Sequence, residues 1–192
     1  MARLAFDIDD TITDSTSTIR KYILMHSNEY EDGYILTRDL DIILRGFFNY
    51  DVVKKFFLDY AYTFADEIKL RENAASVINK LKSEGNEIYI ITARSDKYYK
   101  DTIEYCSNYL KKNGVNFDKI LVNQKFKINA CKENNIDVMV DDGVDTCDDL
   151  NTNDINALLF TSELNKDKET KSDRVNSWLE VYDKIHKIID KN

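Results

Sequence analysis

The feature that most constrains this chain is a short apolar run that ends in acidic residues near the start of the sequence. Residues 4–6 read Leu-Ala-Phe and are followed by Asp7, Asp9 and Thr11. An apolar run that stops abruptly at acids is typical of a buried central strand whose carboxyl end opens into a binding site. Two carboxylates placed there, two residues apart, can share a hard cation and face a phosphate. This run therefore predicts a buried strand with a site at its end.

A solvated turn and a calcium-binding loop of the EF-hand type are the simpler explanations of the same run. Asp is common in turns and at helix N-termini, so a turn fits residues 7–11. A calcium loop that begins at Asp7 needs Gly at its sixth position and Glu at its twelfth. This chain has Ile12 and Thr18 at those positions. The calcium loop is therefore excluded, and the turn stays open on this segment alone.

A second polar position follows the apolar segment 87–91. Thr92 comes directly after it, and Arg94 lies two residues further on. A β-branched residue commonly ends a strand, so Thr92 alone says little about function. The Arg94 guanidinium has two open roles: contact with a substrate phosphate or with an inserted segment, or an ion pair with a neighbouring aspartate.

Two more segments complete the pattern. Lys125 and Lys127 precede or open a predicted helix, and the apolar strand 137–140 that follows ends at Asp141 and Asp142. Most lysines are solvated surface charges, so the lysines are the weakest of the four signals. Four such pieces in order, each at a strand end or helix start, are much harder to obtain by accident than one.

These four segments resemble the motifs of the haloacid-dehalogenase-like (HAD) phosphohydrolases, whose first motif is Asp-x-Asp-x-Thr. Within that superfamily the chain is most similar to the 5′(3′)-deoxyribonucleotidase-like group, which includes bacterial nucleotidases. The likeness rests on residues 7–13, 71–73, 90–94 and 131–142 and covers most of the chain outside the insertion described below. That group hydrolyses nucleoside or deoxynucleoside monophosphates, and the resemblance implies this activity here.

The resemblance also implies a role for each site residue. Asp7 is the nucleophile that becomes an aspartyl phosphate, and Asp9 is the general acid and base. Mg²⁺ is held by Asp7, the main-chain carbonyl of Asp9, and Asp142. An Asp at position 9 favours a phosphatase, because dehalogenases and phosphonatases of the superfamily lack this second acid.

The phosphate-binding positions implied by the resemblance are Thr92 and Lys127, with Lys125 as the second choice. The supporting positions are Thr11, Arg94, Asp141 and Asp145. Many relatives carry a further acid four residues after the Asp142 position, where this chain has Thr146. Asp145 is the candidate to replace it.

The alternation of strands and helices after residue 70 predicts an α/β fold with a parallel sheet flanked by helices. The resemblance places the Asp7 strand in the centre, between the Thr92 and Asp142 strands, and residues 157–160 are predicted as the last strand. Helical spacing of apolar residues predicts a small helical cap over residues 14–70, with the HAD-like core formed by 1–13 and 71–192. Among the cap aromatics, Phe47, Phe48 or Tyr50 are candidates to face the site.

Composition limits the partners. The 192 residues carry a net charge of −8, which argues against a broad grip on nucleic acid but not against a mononucleotide. No apolar stretch approaches the ~20 residues that span a bilayer, and the N-terminus lacks a signal-peptide core. Three cysteines without metal-like spacing suggest reduced thiols. We therefore expect a cytoplasmic enzyme that contacts no membrane and acts on a small phosphorylated metabolite; the oligomeric state is not indicated.

Three alternatives stay open at this point. A HAD phosphatase for another small phosphomonoester, such as a sugar phosphate, would use the same core. A phosphatase that acts on the ends of nucleic acids is disfavoured by the net negative charge of the chain. A non-catalytic protein that keeps the site only to bind a metal or ligand is disfavoured by the presence of both Asp7 and Asp9.

Overall fold

The computed structural model describes residues 1–190, and these form a six-stranded, fully parallel sheet with helices packed on it. The strands are β1 (Arg3–Phe6), β2 (Glu87–Ile91), β3 (Lys119–Leu121), β4 (Val138–Asp141), β5 (Asn156–Phe160) and β6 (Asp173–Val175). The α-helices of these residues are α1 (Ser15–His26), α2 (Tyr34–Arg38), α3 (Leu40–Leu44), α4 (Asp51–Glu67), α5 (Ala74–Ser83), α6 (Thr102–Lys112), α7 (Ile128–Glu133), α8 (Val144–Thr152) and α9 (Trp178–Ile189). The predicted α/β class is confirmed. Residues 191–192 of the predicted core range lie outside the described residues.

The sheet order is β3-β2-β1-β4-β5-β6, so the strand that leads to Asp7 is central, as predicted. Phe6 is in register with Ile90 of β2 on one side and with Val140 of β4 on the other. Because all three strands run in the same direction, their carboxyl ends lie side by side. Residues that follow these strands are therefore brought together at one edge of the sheet.

Side chains along each strand point alternately to the two faces of the sheet, and this divides the core into two layers. Leu4 and Phe6 point to the face covered by α5, α6 and α9, where Trp178 packs 5.4 Å from the Phe6 ring. Ala5 points to the opposite face, with α7 and α8. These side chains are fully buried, which explains why the central strands read as unbroken apolar runs.

Two predictions about the elements are wrong. Residues 157–160 were predicted as the last strand, but a further strand, β6, follows them. β6 is short, and only its Val175 is fully buried. Such an edge strand has no apolar run to reveal it. The sequence of residues 96–113 predicts one continuous helix over that range, but α6 begins only at Thr102, because the preceding residues form turns that include Asp101 at φ 52°.

A helical cap lies between β1 and β2, formed by α1 to α4. Its core is aromatic and includes Tyr22, Phe56 and Phe64. An antiparallel bridge between Thr13 and Leu70 joins the two ends of this insertion. The boundaries 14–70 stay a prediction. None of the helices in residues 1–190 combines the length and the apolar character needed to cross a bilayer.

The three cap aromatics proposed to face the site have different surroundings. Phe47 is 67% exposed. Phe48 stacks on Phe57 within the cap at 5.9 Å between ring centroids. Tyr50 lies beside Asp39, and interaction with that carboxylate raises the pKa of the phenol. Phe48 therefore contributes to packing of the cap.

Candidate active site

The first motif leaves the sheet through a tight turn over Ile8–Ile12. The Asp7 N–H donates to the Val140 carbonyl at 3.0 Å, so this residue still follows the sheet. Asp10 adopts a left-handed conformation, φ 57°, which Asp tolerates better than most residues. Its carboxylate accepts hydrogen bonds from the main chain and hydroxyl of Thr16 and thereby holds the start of α1. The turn therefore connects Asp7, at the end of β1, to α1, the first helix after the motif.

Lys127 joins the first and last acidic segments. Its Nζ lies 2.5 Å from Asp7 Oδ1 and 2.5 Å from Asp141 Oδ2, and all three side chains are buried. Burial opposes the charged ammonium, but the two carboxylates outweigh it and raise the lysine pKa. Lys125 is exposed, with its ammonium over the Phe126 ring. Of the two candidate lysines, the structure therefore brings Lys127 to the cluster.

Asp7, Asp141 and Asp142 form a compact group of carboxylates, with ligand oxygens within 4.8 Å of one another. One ammonium cannot compensate all of these charges. Burial, and then repulsion from Asp141, raises the pKa of Asp142 well above its usual value. Burial raises the pKa of Asp7 to about 7, although Lys127 opposes the shift. A hard divalent cation would supply the missing positive charge, and buried carboxylate oxygens are the donors that Mg²⁺ prefers, so this donor set fits Mg²⁺.

The Asp141 carboxylate is held on both sides. Its Oδ2 accepts from Lys127, and its Oδ1 accepts from the Gly143 N–H at 2.7 Å. A Cβ on residue 143 would lie only 3.0 Å from Asp141 Oδ1 and from Thr146 Oγ1. A side chain at position 143 would therefore require the Asp141 carboxylate and the Thr146 hydroxyl to move by a few tenths of an ångström.

Asp9 lies in a separate ion pair. Arg94 donates to it through Nε at 3.0 Å and through Nη2 at 2.8 Å, and the hydroxyl of Ser15 donates at 2.5 Å. The Arg94 side chain is 4% exposed and that of Asp9 is 40% exposed. Burial favours neutral Asp9, but Arg94 and Ser15 hold its pKa below the usual value. Of the two roles open for Arg94 in the sequence, the structure adopts the ion pair.

Two threonines of the predicted site are fully buried. The Thr92 hydroxyl accepts from the Arg94 N–H at 3.2 Å. The Thr11 hydroxyl has no hydrogen-bond partner in the described part of the chain. Asp145 is exposed in the first turn of α8, and it is not a member of the carboxylate group of the described residues. Among the predicted supporting residues, Asp145 thus faces solvent.

Sequence reasoning missed three polar residues near the site: Ser15, Ser162 and Asn165. Ser15 follows the motif by only a few residues, and its position before a helix was the one available signal. Ser162 and Asn165 follow β5, and both contact Asp142. No pattern in the sequence marks them, because their partner is about twenty residues away along the chain.

Comparison with known proteins agrees with this geometry. The family described as "5' nucleotidase, deoxy (Pyrimidine), cytosolic type C protein" matches residues 1–191. The chain belongs to this family. It is therefore a phosphatase of the HAD-like superfamily, as the resemblance implied.

Individual relatives extend over nearly the whole chain. A nucleotidase of Clostridium acetobutylicum is 26% identical over 195 residues, which cover 98% of this chain and 96% of that protein. The crystal structure of a predicted phosphatase from Clostridium acetobutylicum aligns with a TM-score of 0.64 at 20% identity, covering 97% of this chain and 98% of that one. A β-phosphoglucomutase from Clostridium difficile aligns with a TM-score of 0.64 at 18% identity, covering 100% and 98%. At these identities the two structures indicate a shared fold.

Proposed function

We propose that this phosphatase hydrolyses nucleoside or deoxynucleoside monophosphates with the help of Mg²⁺, through an aspartyl-phosphate intermediate. The observation that carries the proposal is the Asp7–Lys127–Asp141 cluster beside Asp142, at the end of the central strands. It supplies a nucleophile, a fixed cation for a phosphoryl group and oxygens for a metal ion. The match to a 5′-nucleotidase family and the nucleotidase relative support the substrate class.

The dianionic ester repels a nucleophile, so the site must first compensate charge. A bound Mg²⁺, held by Asp7, Asp142 and the Asp9 carbonyl, would screen the phosphoryl oxygens and keep Asp7 ionised. Lys127, whose ammonium contacts Asp7, would donate to the same phosphoryl group, and the Thr92 hydroxyl would donate to it from the end of β2. Together they hold the phosphorus in line with the attacking carboxylate oxygen of Asp7.

The reaction then proceeds in two displacements. Asp7 attacks phosphorus, the ester bond breaks, and Asp9 protonates the departing alkoxide. Asp9 next removes a proton from the water that hydrolyses the aspartyl phosphate. The Arg94 pair favours the ionised Asp9 needed in this second step. For the first step, the charge of the incoming dianion raises the proton affinity of Asp9.

A phosphate-release assay with a substrate panel tests this function. Purified chain with Mg²⁺ should release phosphate from nucleoside and deoxynucleoside monophosphates with a higher kcat/KM than from sugar phosphates. Removal of Mg²⁺ with EDTA should abolish release. A preference for sugar phosphates would move the substrate to the alternative class, and no release from any phosphomonoester, p-nitrophenyl phosphate included, would support a non-catalytic protein.

We also propose that the protein works in the cytoplasm. Cys106, Cys131 and Cys147 are buried free thiols, which suits a reducing compartment. Labelled protein in fractionated cells provides the check.

A further inference from the structure

The loop after β5 contacts Asp142 at two points. The Ser162 hydroxyl donates to Asp142 Oδ2 at 3.2 Å, and the Asn165 amide donates to the Asp142 main-chain carbonyl at 2.7 Å. Ser162 is 4% exposed and Asn165 is 2% exposed. One carboxylate oxygen of Asp142 is thereby engaged, while Oδ1 has no hydrogen-bond partner in the described residues.

Asn165 is itself held rigidly. Its Nδ2 also donates to the Phe160 carbonyl at 2.8 Å, and its Oδ1 accepts from the Ser162 N–H at 3.0 Å and from Arg174 Nη1 at 3.0 Å. Each amide atom has two partners of the correct type, so the orientation of the group is determined. Arg174, on β6, therefore braces Asn165 against the end of β5.

We propose that Ser162 and Asn165 are positioning residues for the divalent cation: they orient Asp142 so that its free oxygen points to the metal beside Asp7. This inference rests on the metal site of the proposed function. Partners behind a metal ligand fix its orientation and typically change metal affinity ~10–100-fold when removed. The Ser162 hydroxyl also stabilises one oxygen of a crowded group of carboxylates by donating a hydrogen bond to it.

The neighbouring residue provides a matched comparison. The Thr161 hydroxyl is buried but has no hydrogen-bond partner among the described residues. Thr161→Val and Ser162→Ala thus each remove one buried hydroxyl from the same loop, but only Ser162→Ala removes a contact with Asp142.

Binding of Mg²⁺ to the full chain, measured by calorimetry without substrate, tests the proposal. Ser162→Ala should raise the Kd for Mg²⁺ roughly 10-fold, Thr161→Val should leave it unchanged, and Ser162→Thr should restore it. The Mg²⁺ concentration for half-maximal phosphate release should rise by the same factor, with kcat near that of the wild type once Mg²⁺ saturates. Asn165→Asp, which loses the donors to Asp142 and Phe160, should raise the Kd as well.

Thermal unfolding in EDTA shows whether each variant folds, and Asn165→Asp against the wild type provides the comparison if Ser162→Ala does not fold. An unchanged Kd in Ser162→Ala, or an equal rise in Thr161→Val, would overturn the proposal. A fall in kcat at saturating Mg²⁺ with no change in Kd would overturn it too. If the wild type binds no Mg²⁺, the metal role in the proposed function is itself wrong. That result can be told apart from a failure of the positioning proposal, in which the wild type binds Mg²⁺ and Ser162→Ala binds it equally well.

Discussion

The two acids of the first motif lie only two residues apart, yet their surroundings are opposite. Asp7 is buried with Asp141 and Asp142 and shares a single ammonium with Asp141. Asp9 has a guanidinium of its own and a serine hydroxyl, and its side chain is partly exposed. The first region holds surplus negative charge, whereas the second is neutral as a pair.

This difference in surroundings would allow one short motif to supply the two proposed roles, a nucleophile and a proton-transfer group. The surplus charge around Asp7 raises its pKa in the metal-free protein, so this region stabilises an added cation. The Arg94 pair lowers the pKa of Asp9, which keeps that carboxylate ionised and oriented. The electrostatic contrast thus supports a metal-linked nucleophile at position 7 and a separate proton-transfer group at position 9.

The largest expected effect comes from substitution of Asp7, the proposed nucleophile. Asp7→Asn should lower kcat by at least ~10⁴-fold for nucleotides and for p-nitrophenyl phosphate alike, because no aspartyl phosphate can form. Asp149→Asn, an exposed acid on α8, is the matched control and should keep wild-type activity. More than about 1% residual activity in Asp7→Asn would remove Asp7 from the proposed role.

Substitution of the second acid should depend on the leaving group. Asp9→Asn should lower kcat by ~10²–10⁴-fold with a nucleotide, whose alkoxide needs a proton. With p-nitrophenyl phosphate the first step needs no acid, so a burst of p-nitrophenolate should precede slow hydrolysis of the aspartyl phosphate. Stopped-flow absorbance measures the burst. An equal loss on both substrates without a burst would contradict the assignment.

The contrast between the two acids marks the limit of what the sequence could reveal. Asp7 and Asp142 were predicted to lie together, because parallel strand ends bring the residues that follow them to one edge. The choice of Lys127, at a helix start, came from the resemblance. The central strand and its neighbours followed from apolar runs and from the resemblance. The sequence could not predict which aspartate would form the ion pair with Arg94, because several aspartates follow neighbouring strands.

Other parts of the structure left no local signal. β6 is three residues long and lies at the sheet edge, so its sequence resembles a loop. Ser162 and Asn165 act on Asp142 through a fold-dependent contact, and exposure of Asp145 depends on the orientation of α8. These features depend on tertiary packing, which no periodicity in the sequence records.

The two cations should differ in their effect on product binding. Lys127→Met should lower kcat/KM by roughly 10²–10³-fold and weaken inhibition by inorganic phosphate, because the proposed mechanism has its ammonium donate to the phosphoryl group. Arg94→Met should reduce kcat but change the phosphate Ki by less than about threefold, since its guanidinium is committed to Asp9. Inhibition constants from initial rates provide the measurement. A large rise in Ki for Arg94→Met would indicate that Arg94 binds the phosphate directly.

The smallest effects are on stability, and here the two acids should act in opposite directions. The pKa of Asp7 is raised, from 3.8 to about 7, so between about pH 4 and pH 7 the folded protein binds a proton that the unfolded chain has lost. Stability of the metal-free protein should therefore fall as pH rises through this window. Asp7→Asn or saturating Mg²⁺ should flatten that slope in thermal unfolding. The pKa of Asp9 is lowered, so its contribution is present at neutral pH and is lost as pH falls below the usual range of an aspartate.

At neutral pH without metal, Asp9→Asn should consequently lower Tm while Asp7→Asn raises it. Loss of a partner from a fully buried pair costs ~3–5 kcal/mol, but solvent at the Asp9 carboxylate reduces this to about 1–2 kcal/mol. For a chain of this length that corresponds to a fall in Tm of roughly 2–8 °C. If both variants shift Tm in the same direction, the contrast between the two acids does not hold, because relief of surplus charge and loss of a pair cannot have the same sign.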